Sequence, residues 1–345
     1  MKKLYTYLLS FLLLIPSIGI GQITTAPEFP NISSEITITF DSSQESKLGF
    51  FTEDLYAHTG LTIEGIGDWQ YVIGEWNQND VQPKLTNKGN GIYELVITPN
   101  ITNFYSVADG DKITQISFVF RSADGTSQTN DLFVQVYEDG LNVSFTAPSD
   151  NKMIAKNEIL QVEVKSSGSE NLSLYVDGVE NETTTATEIN KDITTAISGI
   201  HELVVAATLG SEEVRDTIHF FVREDVISGI LPTGTIDGIN YIDDNTVTLL
   251  LYAPNKEYIF VIGDFNDWKF DNNYQMQKDG DYFWITLDNL TAGKEYIFQY
   301  VIDGDIKIAD PYTDKVLDPW NDQYISSTTY PNLIPYPSDK TSEIA

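Results

Sequence analysis

The chain has 345 residues and no cysteine, and its 51 Asp+Glu against 20 Lys+Arg give a formal net charge of −31. That balance excludes nucleic acid as a partner, because phosphate binding needs clustered Lys and Arg, and it works against an anionic membrane surface. The missing cysteines exclude disulfides, thiolate catalysis, Cys-ligated zinc and lipid attachment at an N-terminal Cys; the three histidines, His58, His201 and His219, are too dispersed for a His-Glu-x-x-His metal site.

The N-terminus reads as a secretory signal peptide over residues 1–22. Lys2 and Lys3 precede the apolar run Leu8–Ile15, which Pro16 ends, and Gly19 and Gly21 are the small residues of a cleavage site. The run is too short to be a lasting membrane span, so the mature protein is expected to be secreted, with no membrane partner. Strand patterns follow one another: Glu35–Phe40, Tyr93–Thr98, Gln115–Arg121, Leu132–Tyr137, Leu160–Lys165, Glu202–Ala207, Thr246–Tyr252, Tyr282–Leu287 and Glu295–Ile302 alternate with period two. Seven Asp-Gly dipeptides, from Asp109-Gly110 to Asp303-Gly304, mark turns between them. The expected fold class is all-β, three tandem immunoglobulin-like β-sandwiches. Composition shifts place them at 34–139, 141–223 and 226–328, followed by a Pro-rich linker over 329–345.

In the first sandwich, Tyr56, His58, Trp69 and Trp76 crowd into about twenty residues. A pyranose has an apolar C–H face and polar edges, which an aromatic ring and nearby amides or amines match. Tyr56 and His58 alternate with Leu55 and Ala57, which puts both on one face of an extended segment; the two tryptophans divide between core and ligand platform. The stretch Leu48–Tyr137 resembles the family 26 starch-binding module of bacterial amylases, through Tyr56-Ala-His58, Trp69, Trp76, Gln82-Pro-Lys84 and the strand Gln115–Gly125. The resemblance implies sugar-ring stacking by the aromatic set, with a polar side chain such as Lys84 fixing the register.

The middle sandwich has no Trp and no Cys…Trp…Cys signature. His201 and His219 sit in strand-like runs as surface or hydrogen-bonded residues, and a spacer role is expected. In the third, Tyr258-Ile-Phe-Val-Ile-Gly-Asp-Phe-Asn-Asp-Trp268 runs from a buried strand into a tight loop displaying Trp268. With Gly293-Lys-Glu-Tyr-Ile-Phe-Gln-Tyr-Val-Ile-Asp-Gly304 and Ala309-Asp-Pro-Tyr312, it resembles the family 48 carbohydrate-binding module that precedes the catalytic barrel of branching enzymes and pullulanases. The resemblance implies that Trp268 is a stacking residue. It also shows two departures: Gln299 stands where glycogen-binding members have Lys, and Asp305-Ile306 where they have a second Trp. A structural role for this sandwich gains weight accordingly. Trp284 is read as a core residue.

No catalytic residue is assigned. A glycosidase barrel needs βα alternation over about 250 residues, and a retaining pair of carboxylates about 5–5.5 Å apart; no such region is present, and no cofactor or metal is implied. An acidic turn such as Asp279-Gly-Asp281 reads as well as a solvated hairpin as it does as a calcium site. The expected function is the non-catalytic α-glucan-binding region of a secreted amylase-family glycoside hydrolase, ending before a C-terminal catalytic barrel. The alternatives are a free-standing starch-binding protein of a glycan-uptake system and an adhesin-like array with no sugar role.

Overall fold

The computed structural model describes residues 23–44, 48, 51–108, 110–337, 340 and 342–345. The signal-peptide reading of 1–22 lies outside the described residues. The fold is all-β, as the alternating patterns require, and the chain divides between Asn142 and Val143 into two compact units.

The first unit is one sandwich. Strands β1 (Ile23–Ala26), β2 (Ile36–Asp41), β5 (Thr86–Gly89) and β6 (Ile92–Ile97) form a sheet in the order β1-β2-β6-β5. Strands β3 (Leu55–Ile63), β4 (Gly67–Gln70), β7 (Ile113–Ser122) and β8 (Leu132–Gln135) form the other, in the order β4-β3-β7-β8. Between them lie Ile36, Ile38, Phe40, Leu55, Ala57, Leu61, Phe118 and Phe120, all buried. The burial alternates along β3: Leu55, Ala57, Thr59 and Leu61 face the core, while Tyr56 and His58 face outward. A short helix, α1 (Ile101–Tyr105), starts at Asn100, whose side chain accepts a hydrogen bond from Asn103 N at 2.9 Å. It delivers the Tyr105 hydroxyl to the buried Thr59 Oγ1 at 2.7 Å, and burial raises that phenol's pKa well above the ordinary range.

The second unit holds two sandwiches. The middle one comprises β9 (Val143–Ala147), β10 (Lys152–Ala155), β11 (Leu160–Ser166), β12 (Asn171–Val176), β13 (Val179–Thr184), β14 (Glu188–Ile193), β15 (Gly199–Leu209) and β16 (Glu212–Arg223), in sheets ordered β10-β16-β15-β12-β13 and β14-β11-β9. His201 is buried, stacked on Phe220 at 5.0 Å, and hydrogen-bonded to Asp177 at 2.7 Å and Ile197 O at 2.9 Å. The third comprises β17 (Gly238–Asp243), β18 (Thr246–Tyr252), β19 (Ile259–Gly263), β20 (Gln277–Asp279), β21 (Tyr282–Leu287), β22 (Phe298–Ile302) and β23 (Ile306–Ile308), in sheets β17-β18-β21-β20 and β19-β22-β23. Its core is Leu249, Leu251, Ile259, Val261, Met276, Phe283, Ile285, Phe298 and Tyr300.

The two sandwiches of this unit share a second core. Met153 and Phe221 of the middle sandwich pack with Phe260, Ile262 and Val301 of the third, and Arg223 lies 4.2 Å from the Tyr258 ring. The described residues of 329–345, a stretch expected to be a linker from its prolines, carry no strand or helix. Their last residues nevertheless pack on the third sandwich. Ile344 is fully buried, exchanges backbone hydrogen bonds with Leu317, and is followed by Ala345, which does the same with Phe298.

Candidate carbohydrate-binding surface

The outer face of the β4-β3-β7-β8 sheet gathers five of the sequence-derived candidates. Strand β3 projects Tyr56 and His58 on that face. Residues 83–85 pair along its first half, through Ala57 N to Pro83 O at 2.8 Å and Leu85 N to Leu55 O at 2.9 Å, which sets Lys84 directly opposite Tyr56. Lys84 is exposed and paired with Asp54 at 2.6 Å. Strand β4 pairs along the second half of β3 and carries Trp69 back over His58, with ring centroids 5.3 Å apart and planes 26° from parallel. Trp76 meets the same imidazole edge-on, at 5.1 Å and 68°, and at 40% exposed it is the most open of these rings.

Two local features place Trp69. Gly60 has no room for a side chain: a Cβ there would lie 2.8 Å from Gln70 O, so only glycine lets β4 close onto β3. Trp69 and Tyr71 both adopt left-handed backbone, with φ of 57° and 52°. That conformation is disfavoured by roughly 1–2 kcal/mol per residue for an L side chain and turns the indole onto the sheet face. Tyr71 is held by its hydroxyl, which donates to Asp111 Oδ2 at 2.5 Å.

Beneath the rings is Arg121, fully buried and paired across the sheet with Tyr56. Its guanidinium donates from Nε to Gln82 Oε1 at 2.9 Å, from Nη2 to the same oxygen and to Asn79 Oδ1 at 2.7 Å, and from Nη1 to Ser122 O at 3.0 Å. It also lies 5.4 Å from the Tyr56 ring and 5.7 Å from the Trp76 ring. Burial lowers the Arg121 pKa from its ordinary value, yet a guanidinium stays charged. Because Arg can only donate, the Gln82 atom it meets is the carbonyl oxygen, and the Gln82 amide therefore donates to His58 Nδ1, at 2.8 Å. Nδ1 is then an acceptor and the His58 proton resides on Nε2. Burial first, and the Arg121 charge second, lower the His58 pKa below 6.5; the carboxylates of Asp131 and Glu75 oppose this.

Arg121, Gln82 and Asn79 were not recognised as site residues from sequence. Gln82 stands in the Gln-Pro-Lys motif, and a lone Arg within Phe118-Val-Phe-Arg121 is the one signal that an apolar strand changes character there. The sixth candidate, Trp268, is in the other unit. It also has left-handed backbone, φ 59°, and its Nε1 donates to Asp264 at 3.2 Å. Its ring is half-buried, packed against the buried cluster of Ile297, Leu317 and Ile344, and the Lys340 ammonium sits 4.8 Å from it. Trp284, expected in the core, instead faces outward beside Tyr282 and Thr286, because Phe283, Ile285 and Leu287 take the inward positions of β21. No group of three His, Asp or Glu side chains among the described residues could hold a metal ion.

Residues 238–320 match the model of carbohydrate-binding module 48, the isoamylase N-terminal domain. Among solved structures, an endo-β-1,4-mannanase from Thermotoga petrophila aligns at 22% identity over 24% of this chain and 20% of its own, with a TM-score of 0.21. The fibronectin(III)-like modules of Clostridium thermocellum CbhA align at 25% identity over 24% of this chain and 98% of theirs, with a TM-score of 0.21. A β-glucuronidase of Bacteroides uniformis aligns at 10% identity over 50% of this chain and 25% of its own, with a TM-score of 0.23. The chain thus spans about a fifth of the mannanase and a quarter of the glucuronidase. No curated protein matches. The third sandwich is similar to a carbohydrate-binding module of the isoamylase N-terminal type, and carbohydrate binding is the function this likeness supports.

Proposed function

We propose that the protein binds neutral α-glucan chains through the outer face of the β4-β3-β7-β8 sheet, as the non-catalytic targeting region of a secreted amylase-family glycoside hydrolase. The observation that carries this reading is the convergence of Tyr56, His58, Trp69 and Trp76 over the Arg121–Gln82 support. Half-exposed rings offer stacking faces for the C–H side of a pyranose. His58 Nε2–H and the Lys84 ammonium offer hydrogen bonds to its hydroxyls. Glu75 and Asp131, close enough to act on His58, and the net charge of −31 disfavour an acidic sugar. The 68° angle between Trp76 and His58 makes a bent platform, which suits a curved α-linked chain better than a flat β-linked ribbon. We further place the mature chain outside the cell, on Lys2, Lys3 and the apolar run Leu8–Ile15.

Affinity electrophoresis through gels containing glycogen, soluble starch or a neutral β-glucan tests this. The wild type is expected to be retarded by the two α-glucans, and a Trp69→Ala/Trp76→Ala variant to lose at least tenfold of that affinity. Equal mobility of the folded variant and the wild type in glycogen would overturn the assignment.

A further inference from the structure

The third sandwich has two outward sheet faces, and one is closed. On the β19-β22-β23 sheet, Phe260, Ile262 and Val301 are buried against Met153 and Phe221 of the middle sandwich. Next to them, the buried Gln299 amide reaches Ser342 Oγ at 2.8 Å, Glu343 O at 2.9 Å and Ser342 O at 3.1 Å. Trp268 is packed at the same end against the buried cluster of Ile297, Leu317 and Ile344. A ligand therefore finds no open platform on this sheet.

The other sheet, β17-β18-β21-β20, presents an aromatic face. Register sets Tyr252 opposite Tyr282, Leu250 opposite Trp284 and Thr248 opposite Thr286. The two tyrosine rings are 5.1 Å apart, and both are substantially exposed, Tyr252 at 48% and Tyr282 at 37%. Leu250 points outward yet is buried beneath this surface. Gly238, paired with Leu250, leaves room for Tyr312: a Cβ on it would lie 2.6 Å from Tyr312 Cβ, and the Tyr312 ring is half-exposed. Trp284 is fixed by its Nε1, which donates to Gly229 O at 3.1 Å. The exposed Thr286, whose hydroxyl lies 2.8 Å from that of the buried Thr248, supplies a polar group at one side.

We propose that this face, built on Tyr252, Tyr282 and Tyr312, is a second carbohydrate-binding surface, taking the apolar face of a neutral oligosaccharide. Rings with hydroxyl edges on a rigid sheet suit a polyhydroxylated ligand. The acidic side chains around it, Asp237, Asp279 and Asp281, exclude an anionic one. The likeness of residues 238–320 to a carbohydrate-binding module selects a saccharide over a protein as occupant. The surface is built entirely from residues of the second unit.

Binding of maltoheptaose and glycogen by the whole chain is compared for the wild type, Trp69→Ala/Trp76→Ala, Tyr252→Ala/Tyr282→Ala and the fourfold variant, with Tyr252→Phe/Tyr282→Phe as the ring-preserving control. The Trp69→Ala/Trp76→Ala variant is expected to keep a residual affinity, which the fourfold variant loses by about tenfold and the Phe control keeps. Loss of all binding in Trp69→Ala/Trp76→Ala, with Tyr252→Ala/Tyr282→Ala unchanged, would overturn this proposal and leave the first-sandwich site standing. Loss in the tyrosine variant alone would support it and overturn the first-sandwich site. Sedimentation showing a wild-type dimer that Tyr252→Ala/Tyr282→Ala abolishes would reassign the face to self-association and overturn the proposal.

Discussion

A buried guanidinium with only neutral acceptors is costly to desolvate, by several kcal/mol, and Arg121 offsets that through Gln82, Asn79, Ser122 O and two ring faces. Removing the charge therefore strands amide oxygens built to receive it. Arg121→Met is expected to destabilise the first sandwich by about 2–3 kcal/mol, read as a lowered urea midpoint; an unchanged midpoint would show that the network does not hold the surface together. The same network sets a pH dependence at His58. The His58 pKa is below 6.5 in the folded protein, so between 6.5 and that depressed value the unfolded chain binds a proton that the native state resists. Stability from this group is complete above 6.5 and is lost as pH falls through the window below it. Glycan affinity is expected to fall over the same window, since a protonated Nδ1 would face the Gln82 amide donor. Histidine NMR should show a His58 midpoint below 6.5 that rises toward 6.5 in Arg121→Met. A wild-type midpoint at or above 6.5 would contradict the network.

Among elements, the first half of β3 was legible and β4 was not. Leu55–His58 alternates, and that period placed Tyr56 and His58 on one face; the alternation breaks at Thr59–Leu61, three buried positions in a row. Gly67–Gln70 has no period; it is a strand because it pairs with β3 and because Asp68 Oδ1 accepts from Thr62 Oγ1 at 2.8 Å. The left-handed turns at Trp69 and Tyr71 have no signature in side-chain type, so the stacking of Trp69 on His58 could not be read from spacing. Arg121 was hidden because alternation says which face a residue takes, and not whether a loop covers that face. Gly60→Ala tests the pairing: with a backbone oxygen 2.8 Å from the new methyl, it should cost about 1–3 kcal/mol and weaken glycan binding together. A variant with wild-type stability would show that β4 has room to shift.

At the scale of the molecule, the middle and third sandwiches share apolar contacts of which strand periodicity carries no sign. Phe221 lies two residues before the end of β16, in the buried run Phe220–Val222. Its ring packs at 5.5 Å on Phe260 and 5.7 Å on Phe270, and Glu224 N donates to Asn272 Oδ1 at 2.8 Å. Residues 143–345 are therefore expected to melt as one calorimetric transition. Phe221→Ala, at about 3–5 kcal/mol for a buried ring, should split it in two; two transitions already present in the wild type would contradict a common core. The tail is a parallel case, where prolines conceal that Ile344 is buried.

In the proposed glycan-binding surface, His58 is held by Gln82 and Arg121 among Trp69 and Trp76. With only three histidines in the chain, the side-chain nitrogen spectrum at neutral pH reads it directly during titration with maltoheptaose. An Nε2-protonated His58 is expected, with signals that shift saturably while those of His201 and His219 stay in place. Saturable binding of the sugar with His58 unmoved would contradict it.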